Sequence, residues 1–212
     1  MSEPIVVTCE CAPNIALIKY WGKSDEDLII PLNSSISITL DRNVLNSKTS
    51  LYLIKNELNK QNKIQLWLNG VHQVLDDILD ESLIVKNEND LINQRRFFRL
   101  LNSIRRNCAL DEPYSYEIRI CSLNNFPTAC GLASSASGFA CLALCLSAGF
   151  KYTGDTSELA RLGSGSACRS CFGGFVKWNT GSNSSQSISR QIFPQTHWPD
   201  LNILALILED QR

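Results

Sequence analysis

The 212-residue sequence predicts an α+β sandwich, and three observations point to it. Short alternating segments dominate the first half, two amphipathic helical stretches interrupt them, and strand-like segments return towards the C-terminus. The segments "IVVTCE" (5–10), "SISITLD" (35–41), "TSLYLIK" (49–55) and "KIQLWLNG" (63–70) are rich in β-branched and aromatic residues and are separated by turn residues. Residues 89–109 then place Leu91, Ile92, Phe98, Leu101 and Ile104 at helical spacing, with the arginines expected on a solvated face. "YSYEIRICS" (114–122) alternates again and leads into a second helix over 133–148. Both helices are expected against one sheet. A short helix from Thr156, a Gly/Ser segment, a strand near Trp178 and another in "SISRQIF" (187–193) follow. The final apolar run "LNILALIL" (201–208) has the pattern of a strand covered on both faces.

Composition narrows the function classes. Hydrophobic residues make up 44% of the chain, enough for a sizeable core. Lys and Arg number 20 against 21 Asp and Glu, so no global field recruits nucleic acid or an anionic membrane. No apolar run reaches the length of a membrane span, and "MSEPIVVTCE" does not fit a signal peptide. Nine cysteines with no disulfide-framework spacing read as reduced thiols in a cytoplasmic protein. With only His72 and His197 available, a Cys/His zinc site is not expected. Cys168 and Cys171 form a lone C-x-x-C and read as small loop residues. No metal-ligating residues are assigned.

The stretch "NNFPTACGLASSASGFACLA" (124–143) carries the chemistry. A helix N-terminus offers unpaired amides and the positive end of its dipole, but phosphate oxygens reach them only where side chains are short. Gly131, Ala133, Ser134, Ser135 and Ala136 meet that demand, and the two hydroxyls add donors or a magnesium contact. A small-residue helix face packed on another helix is the alternative reading of the same residues. Neither G-x-x-x-x-G-K-[ST] nor a strand-linked G-x-G-x-x-G occurs, which excludes the P-loop and Rossmann solutions.

"PTACGLASSA" resembles the phosphate-binding motif of the GHMP kinase superfamily, P-x-x-x-G-L-x-S-S-A. "APNIALIKYWGK" (12–23) with "PLNSSISITL" (31–40), and "GSGSACRSCFGGFVKW" (163–178), are similar to the signatures of mevalonate diphosphate decarboxylases. Ala133 stands where many sister kinases have Gly, and this too fits the decarboxylases. The resemblance implies a ribosomal-S5-like fold, with residues 1–198 as the N-terminal nucleotide- and substrate-binding domain. Residues 199–212 would then be the first strand of a C-terminal domain.

The family phosphorylates a tertiary hydroxyl with ATP and then expels phosphate and carbon dioxide, yielding isopentenyl diphosphate. For this chain the resemblance implies ATP with Mg2+ as co-substrate, mevalonate diphosphate as substrate, and homodimers in the full-length family. It implies a diphosphate clamp at Tyr20, Trp21, Gly22 and Lys23, with Lys19 directed at the reacting hydroxyl and transferred phosphoryl. Ser164, Gly165, Ser166, Ala167, Cys168 and Arg169 would hold the other end of the substrate. There Arg169 would grip the carboxylate as a planar fork. Arg96 matches a family substrate-binding arginine through the following "L-x-x-I-R". Ser122, Asn125, Gly131, Ser134 and Ser135 fall on the nucleotide side, with Ser135 also catalytic alongside Lys19 and Arg169.

The family's proposed base lies in an Asp-Ala-Gly-Pro-Asn segment, and no such segment occurs in these residues. The chain is therefore expected to represent a truncated form that is inactive or nearly so by itself. A sister kinase for mevalonate or phosphomevalonate, or a non-catalytic nucleotide-binding fragment, remain the alternatives.

Overall fold

The computed structural model describes residues 3–56, 63–75, 88–128 and 131–204. The first half supplies β1 (Ile5–Cys11), β2 (Asn14–Ile18), β3 (Lys23–Asp25), β4 (Ile30–Pro31), β5 (Ser35–Thr39), β6 (Ser47–Lys55), β7 (Ile64–Leu68) and β8 (Val71–Gln73). Next come α1 (Glu88–Arg106), β9 (Tyr116–Asn124), α2 (Ser134–Gly149), α3 (Thr156–Gly163) and α4 (Ala167–Ser170). The last elements are β10 (Phe175–Trp178), β11 (Ser189–Phe193) and a 3₁₀ turn at Gln195–His197. The mixed α+β class is as expected.

Two principal sheets form. Five strands associate in the order β1-β6-β9-β7-β8, four in the order β11-β10-β5-β2, and β3 and β4 make a small ribbon. Within the first sheet only β7 and β9 run parallel. Leu51 pairs with Ile120 and Leu53 with Ile118, and all four are fully buried on the inner face. A one-residue slip would exchange them for Tyr52 and Arg119, so burial fixes the register. "SISIT" leaves this sheet altogether: β5 pairs instead with β2 and β10. β2 lies inside "APNIALIKYWGK", and this strand pairing was not read from the sequence. β8 was also missed; Asn69 and Gly70, with φ of 49° and 80°, close a tight hairpin that returns the chain after β7.

The central helix is α2. Its residues are small or apolar on every side, as befits a helix with no solvent face. It lies between strands β1 and β6 on one side and helices α3 and α4 on the other. α1 buries Phe97, Leu100, Leu101 and Ile104, a stripe rotated from the predicted one. Ile92 is largely exposed. The helix stops at Arg106, short of the expected 109, because Cys108 departs to bridge Tyr152. One arginine of its supposed solvated face, Arg105, is buried, with its guanidinium 5.0 Å above the Tyr114 ring. That cation–π contact offsets part of the desolvation.

The predicted strand at 201–208 does not form over its described part. Leu201–Leu204 has no regular structure and Leu204 is 91% exposed; the remainder lies outside the described residues. Among the described residues no helix is long and apolar enough to cross a membrane.

Candidate active site

α2 begins at Ser134, where the small-residue pattern predicted a helix N-terminus. Ala133 precedes it in the left-handed region (φ 52°, ψ 43°), and no side chain caps the helix. A helix start without a side-chain cap is suited to an external acceptor. Gly131 has φ +81°, and space is open where its Cβ would lie. These features suit a phosphate group. The first turn carries no acidic residue, and no group of three or more His, Cys, Asp or Glu among the described residues is arranged to hold a metal ion.

A cavity of about 490 Å³ opens beside the α2 N-terminus. Its polar end is lined by Ser122, Ser134, Ser135 and Thr128, and its apolar end by Leu66, Val71 and Phe97. Three residues assigned to the nucleotide side, Ser122, Ser134 and Ser135, thus come together. Ser122 shares a 2.9 Å hydrogen bond with the Thr49 hydroxyl. Asn125 is turned away from this cavity. Its Oδ1 accepts from the Asn46 amide at 2.8 Å and its Nδ2 donates to the Val44 carbonyl at 3.0 Å. That side chain holds two loops together, with both of its ends engaged.

The second group of residues surrounds α4. Arg169 was expected in an open Gly/Ser loop; it sits on a short helix and is 2% exposed. The helix forms because Ala167 and Arg169 donate their amides back to Ser164 and Ser166. Arg169 donates from Nη1 to Ser35 Oγ at 2.6 Å and from Nε to Asn14 Oδ1 at 3.2 Å. Nη2 has no hydrogen-bond partner among the described residues. Asn14 in turn donates to Ser170 Oγ at 2.7 Å and to the Ser166 carbonyl at 3.1 Å. The guanidinium is thus held from two elements, although burial works against its charge and lowers its pKa. Burial also pushes the neighbouring Cys168 thiol up to about 11. That thiol donates to the Gly165 carbonyl, in keeping with a structural role for the C-x-x-C. Asn14 and Ser35 were missed as functional candidates, although both lie in quoted motifs.

Tyr20 leans edge-on against Trp178, with ring centroids 4.8 Å apart. A Cβ on Gly165 would fall 2.6 Å from the Tyr20 hydroxyl oxygen, so only glycine admits this approach. Asn33 clips the adjoining turn: Oδ1 accepts from the Trp21 amide at 2.9 Å, and Nδ2 donates to the Lys19 carbonyl at 3.0 Å. Trp21 is 73% exposed and the Lys19 side chain is also exposed. Gly22 turns the chain at φ +68°. Lys23 pairs with Glu26 at 2.6 Å, so a substrate anion would have to exchange with that carboxylate. Arg96, on α1, is half-buried and does not line the cavity.

The two groups meet where α2 begins and α3 ends. Ser135 Oγ lies 3.5 Å from Ser164 Oγ, so a group at the α2 N-terminus borders the segment that continues through Ser166 to Arg169.

Comparison with known proteins gives the same family from independent directions. Residues 11–189 match the family model described as the diphosphomevalonate decarboxylase-like N-terminal domain. The diphosphomevalonate decarboxylase of Rattus norvegicus is 43% identical over 212 residues, covering 99% of this chain and 50% of the relative. Mevalonate diphosphate decarboxylase from Trypanosoma brucei superimposes with a TM-score of 0.76 at 40% identity, over 92% of this chain and 48% of that one. A further structure, MDDEF in complex with MVAPP, AMPPCP and magnesium, gives a TM-score of 0.70 at 35% identity, over 92% of this chain and 53% of that one. The chain spans about half the length of the relatives it matches, and within that span it belongs to the diphosphomevalonate decarboxylase family.

Proposed function

We propose that this chain supplies the nucleotide site and much of the substrate floor of an ATP-dependent decarboxylase. Its reaction would convert mevalonate diphosphate to isopentenyl diphosphate, ADP, phosphate and carbon dioxide. The observation that carries the reading is the 3.5 Å approach of the Ser135 and Ser164 hydroxyls. Phosphoryl transfer needs donor phosphate and acceptor hydroxyl side by side, and these residues end the two groups that would hold them. In this reading the uncapped start of α2 receives the ATP phosphates, with Ser135 donating to them. Arg169 presents its free Nη2 to the substrate carboxylate, Ser166 helps orient it, and Tyr20 to Lys23 receive the diphosphate. Lys19 offers positive charge to the group in transit. The ligands of MDDEF, MVAPP and AMPPCP with magnesium, support the same pairing.

One observation favours a second reading, nucleotide binding without turnover by these residues alone. Among the described residues no Asp or Glu lines the cavity, and a general base must lie within hydrogen-bond reach of the proton it removes. Titration of the purified chain with Mg-ATP and with mevalonate diphosphate, following tryptophan fluorescence and heat, tests both readings. Saturable binding of each ligand is expected. If neither binds, the proposed sites are wrong.

A further inference from the structure

β1 and α2 carry four cysteines whose spacings match. On a strand, residues i and i+2 share a face about 6.6 Å apart; on a helix, residues i and i+4 stand about 6 Å apart along the axis. Cys9 and Cys11 have the first spacing and Cys141 and Cys145 the second. The ladder between β1 and β6 sets Cys9 opposite Thr49 and Cys11 opposite Ser47. Cys145 donates its thiol to the Thr49 carbonyl at 3.1 Å, and Cys141 donates to the Ser47 carbonyl at 3.4 Å and the Cys9 carbonyl at 3.0 Å. Each helical thiol therefore sits over one rung of the strand pair, Cys145 over that of Cys9 and Cys141 over that of Cys11. Cys145 also reaches the Val7 carbonyl at 3.9 Å, on the strand that carries Cys9. All eight described cysteines are free thiols.

The two rungs differ in access. Cys11, Cys141 and Cys145 are buried, whereas Cys9 is partly open to solvent on a strand at the edge of its sheet. We propose that Cys9 and Cys145 form an oxidative modification site, in which a peroxide converts the pair to a disulfide joining β1 to α2. The Cys9 thiol, as thiolate, attacks the peroxide; the O–O bond breaks and leaves a sulfenic acid and one water. The Cys145 thiol then attacks the Cys9 sulfur, displacing the second water as the S–S bond forms. Two thiols lose two electrons and two protons, and the peroxide is reduced to water.

Cys9, partly exposed while Cys145 is buried, is the thiol a peroxide meets first, and the neighbouring Cys145 thiol holds its pKa below the usual value against the opposing effect of burial. Cys11 and Cys141 lie out of a peroxide's reach, so the second rung stays reduced in the folded protein. The site is separate from the nucleotide reading and does not depend on it.

The test treats the folded full chain with hydrogen peroxide, blocks remaining thiols, and maps disulfides by non-reducing peptide mass spectrometry. A Cys9–Cys145 linked peptide, reversed by dithiothreitol, is expected. It should be absent from both Cys9→Ser and Cys145→Ala, while exposed Cys121 still oxidises in each. As a measurement free of mutation, iodoacetamide added to native protein should label Cys9 before Cys145, and this labelling should prevent the link. Oxidation of Cys9 to sulfinic acid with Cys145 still reduced would overturn the proposal. So would a link that forms only after denaturation.

Discussion

Ser135 at the head of α2 and Ser164 at the foot of α3 present their hydroxyls to each other at 3.5 Å. The helices carrying them pack together, so the distance is set by the core rather than by a loop. If Ser135 donates to a nucleotide phosphate, its loss removes a hydrogen bond to a charged group, worth about 1.5–3 kcal/mol. Ser135→Ala is therefore expected to weaken Mg-ATP binding about 10- to 100-fold while leaving the melting temperature nearly unchanged. Calorimetric titration checks this. An unaltered affinity would place the phosphates elsewhere.

Arg169 is expected to separate the two ligands. Arg169→Ala removes the only cation on α4 and should weaken mevalonate diphosphate binding by about 10²-fold or more, as charge-assisted contacts of about 3–5 kcal/mol imply. Mg-ATP binding should stay near normal. Arg169→Lys should recover little, because lysine cannot reach Asn14 Oδ1 and Ser35 Oγ while also presenting a third donor. Paired titrations, with circular dichroism to confirm folding, decide this. Equal loss of both ligands would assign Arg169 to the fold alone.

Ala133 has left-handed backbone angles, which cost a non-glycine residue about 1–2 kcal/mol. Glycine at this position removes that cost but adds about 0.5–1 kcal/mol of unfolded-state entropy. Ala133→Gly should thus leave stability equal or raise it by up to about 1.5 kcal/mol, measured by urea denaturation. The αL geometry also gives a physical reason for the glycine that many sister kinases carry here.

The same residue illustrates how far the sequence could be read. A small-residue run after a strand points to an anion site through one local rule, and Ser134 and Ser135 of that run line one cavity together with Ser122. Local pattern also gave β6, β7 and β9, whose alternation reflects one buried face, and α2, whose small and apolar residues fit its place between strands and helices. It could not show that β5 joins a second sheet, because "SISIT" alternates equally well in either. Arg169 looked like a loop residue because serine and glycine surround it, yet Asn14 and Ser35, more than a hundred residues away, hold it in a buried helix. Asn125 lies just before the quoted motif, but its amide group is engaged by Val44 and Asn46, a pairing that local pattern does not reveal.

Asp155 should give stability a measurable pH dependence. It caps α3, accepting from the Ser157 amide at 2.9 Å, and meets Arg190 at 2.5 Å. Partial burial pushes its pKa upward, but the Ser157 hydrogen bonds and Arg190 outweigh this, and the net shift is downward. A carboxyl whose folded pKa is depressed contributes stability above its unfolded value, near about 3.9, and loses it as pH falls through the folded value. Asp155→Ala should cost about 0.5–2 kcal/mol at neutral pH, the usual range for a cap. The gap from wild type should narrow below about pH 4. A gap independent of pH would mean that the carboxylate charge contributes nothing.

Turnover is a stricter requirement than binding, and the 212-residue polypeptide by itself is expected to fail it. The reaction needs a proton acceptor near the substrate's tertiary hydroxyl, but four described carboxylates in or beside the quoted motifs are engaged elsewhere. Asp25 accepts from the amides of Asp27 and Leu28, Glu26 pairs with Lys23, Asp27 pairs with Arg99, and Asp155 caps α3. Losing a positioned base costs about 10²–10⁴-fold in rate, and water entering an open cleft would add to that loss. Ligand binding should persist, since neither the α2 N-terminus nor the α4 group depends on a base. The check is to supply Mg-ATP and mevalonate diphosphate to the purified polypeptide and follow phosphate and carbon dioxide release beside the rat enzyme. Binding without release is expected. Release within tenfold of the rat enzyme would require a base among these residues, and Asp25 and Asp155 would then be the first carboxylates to replace.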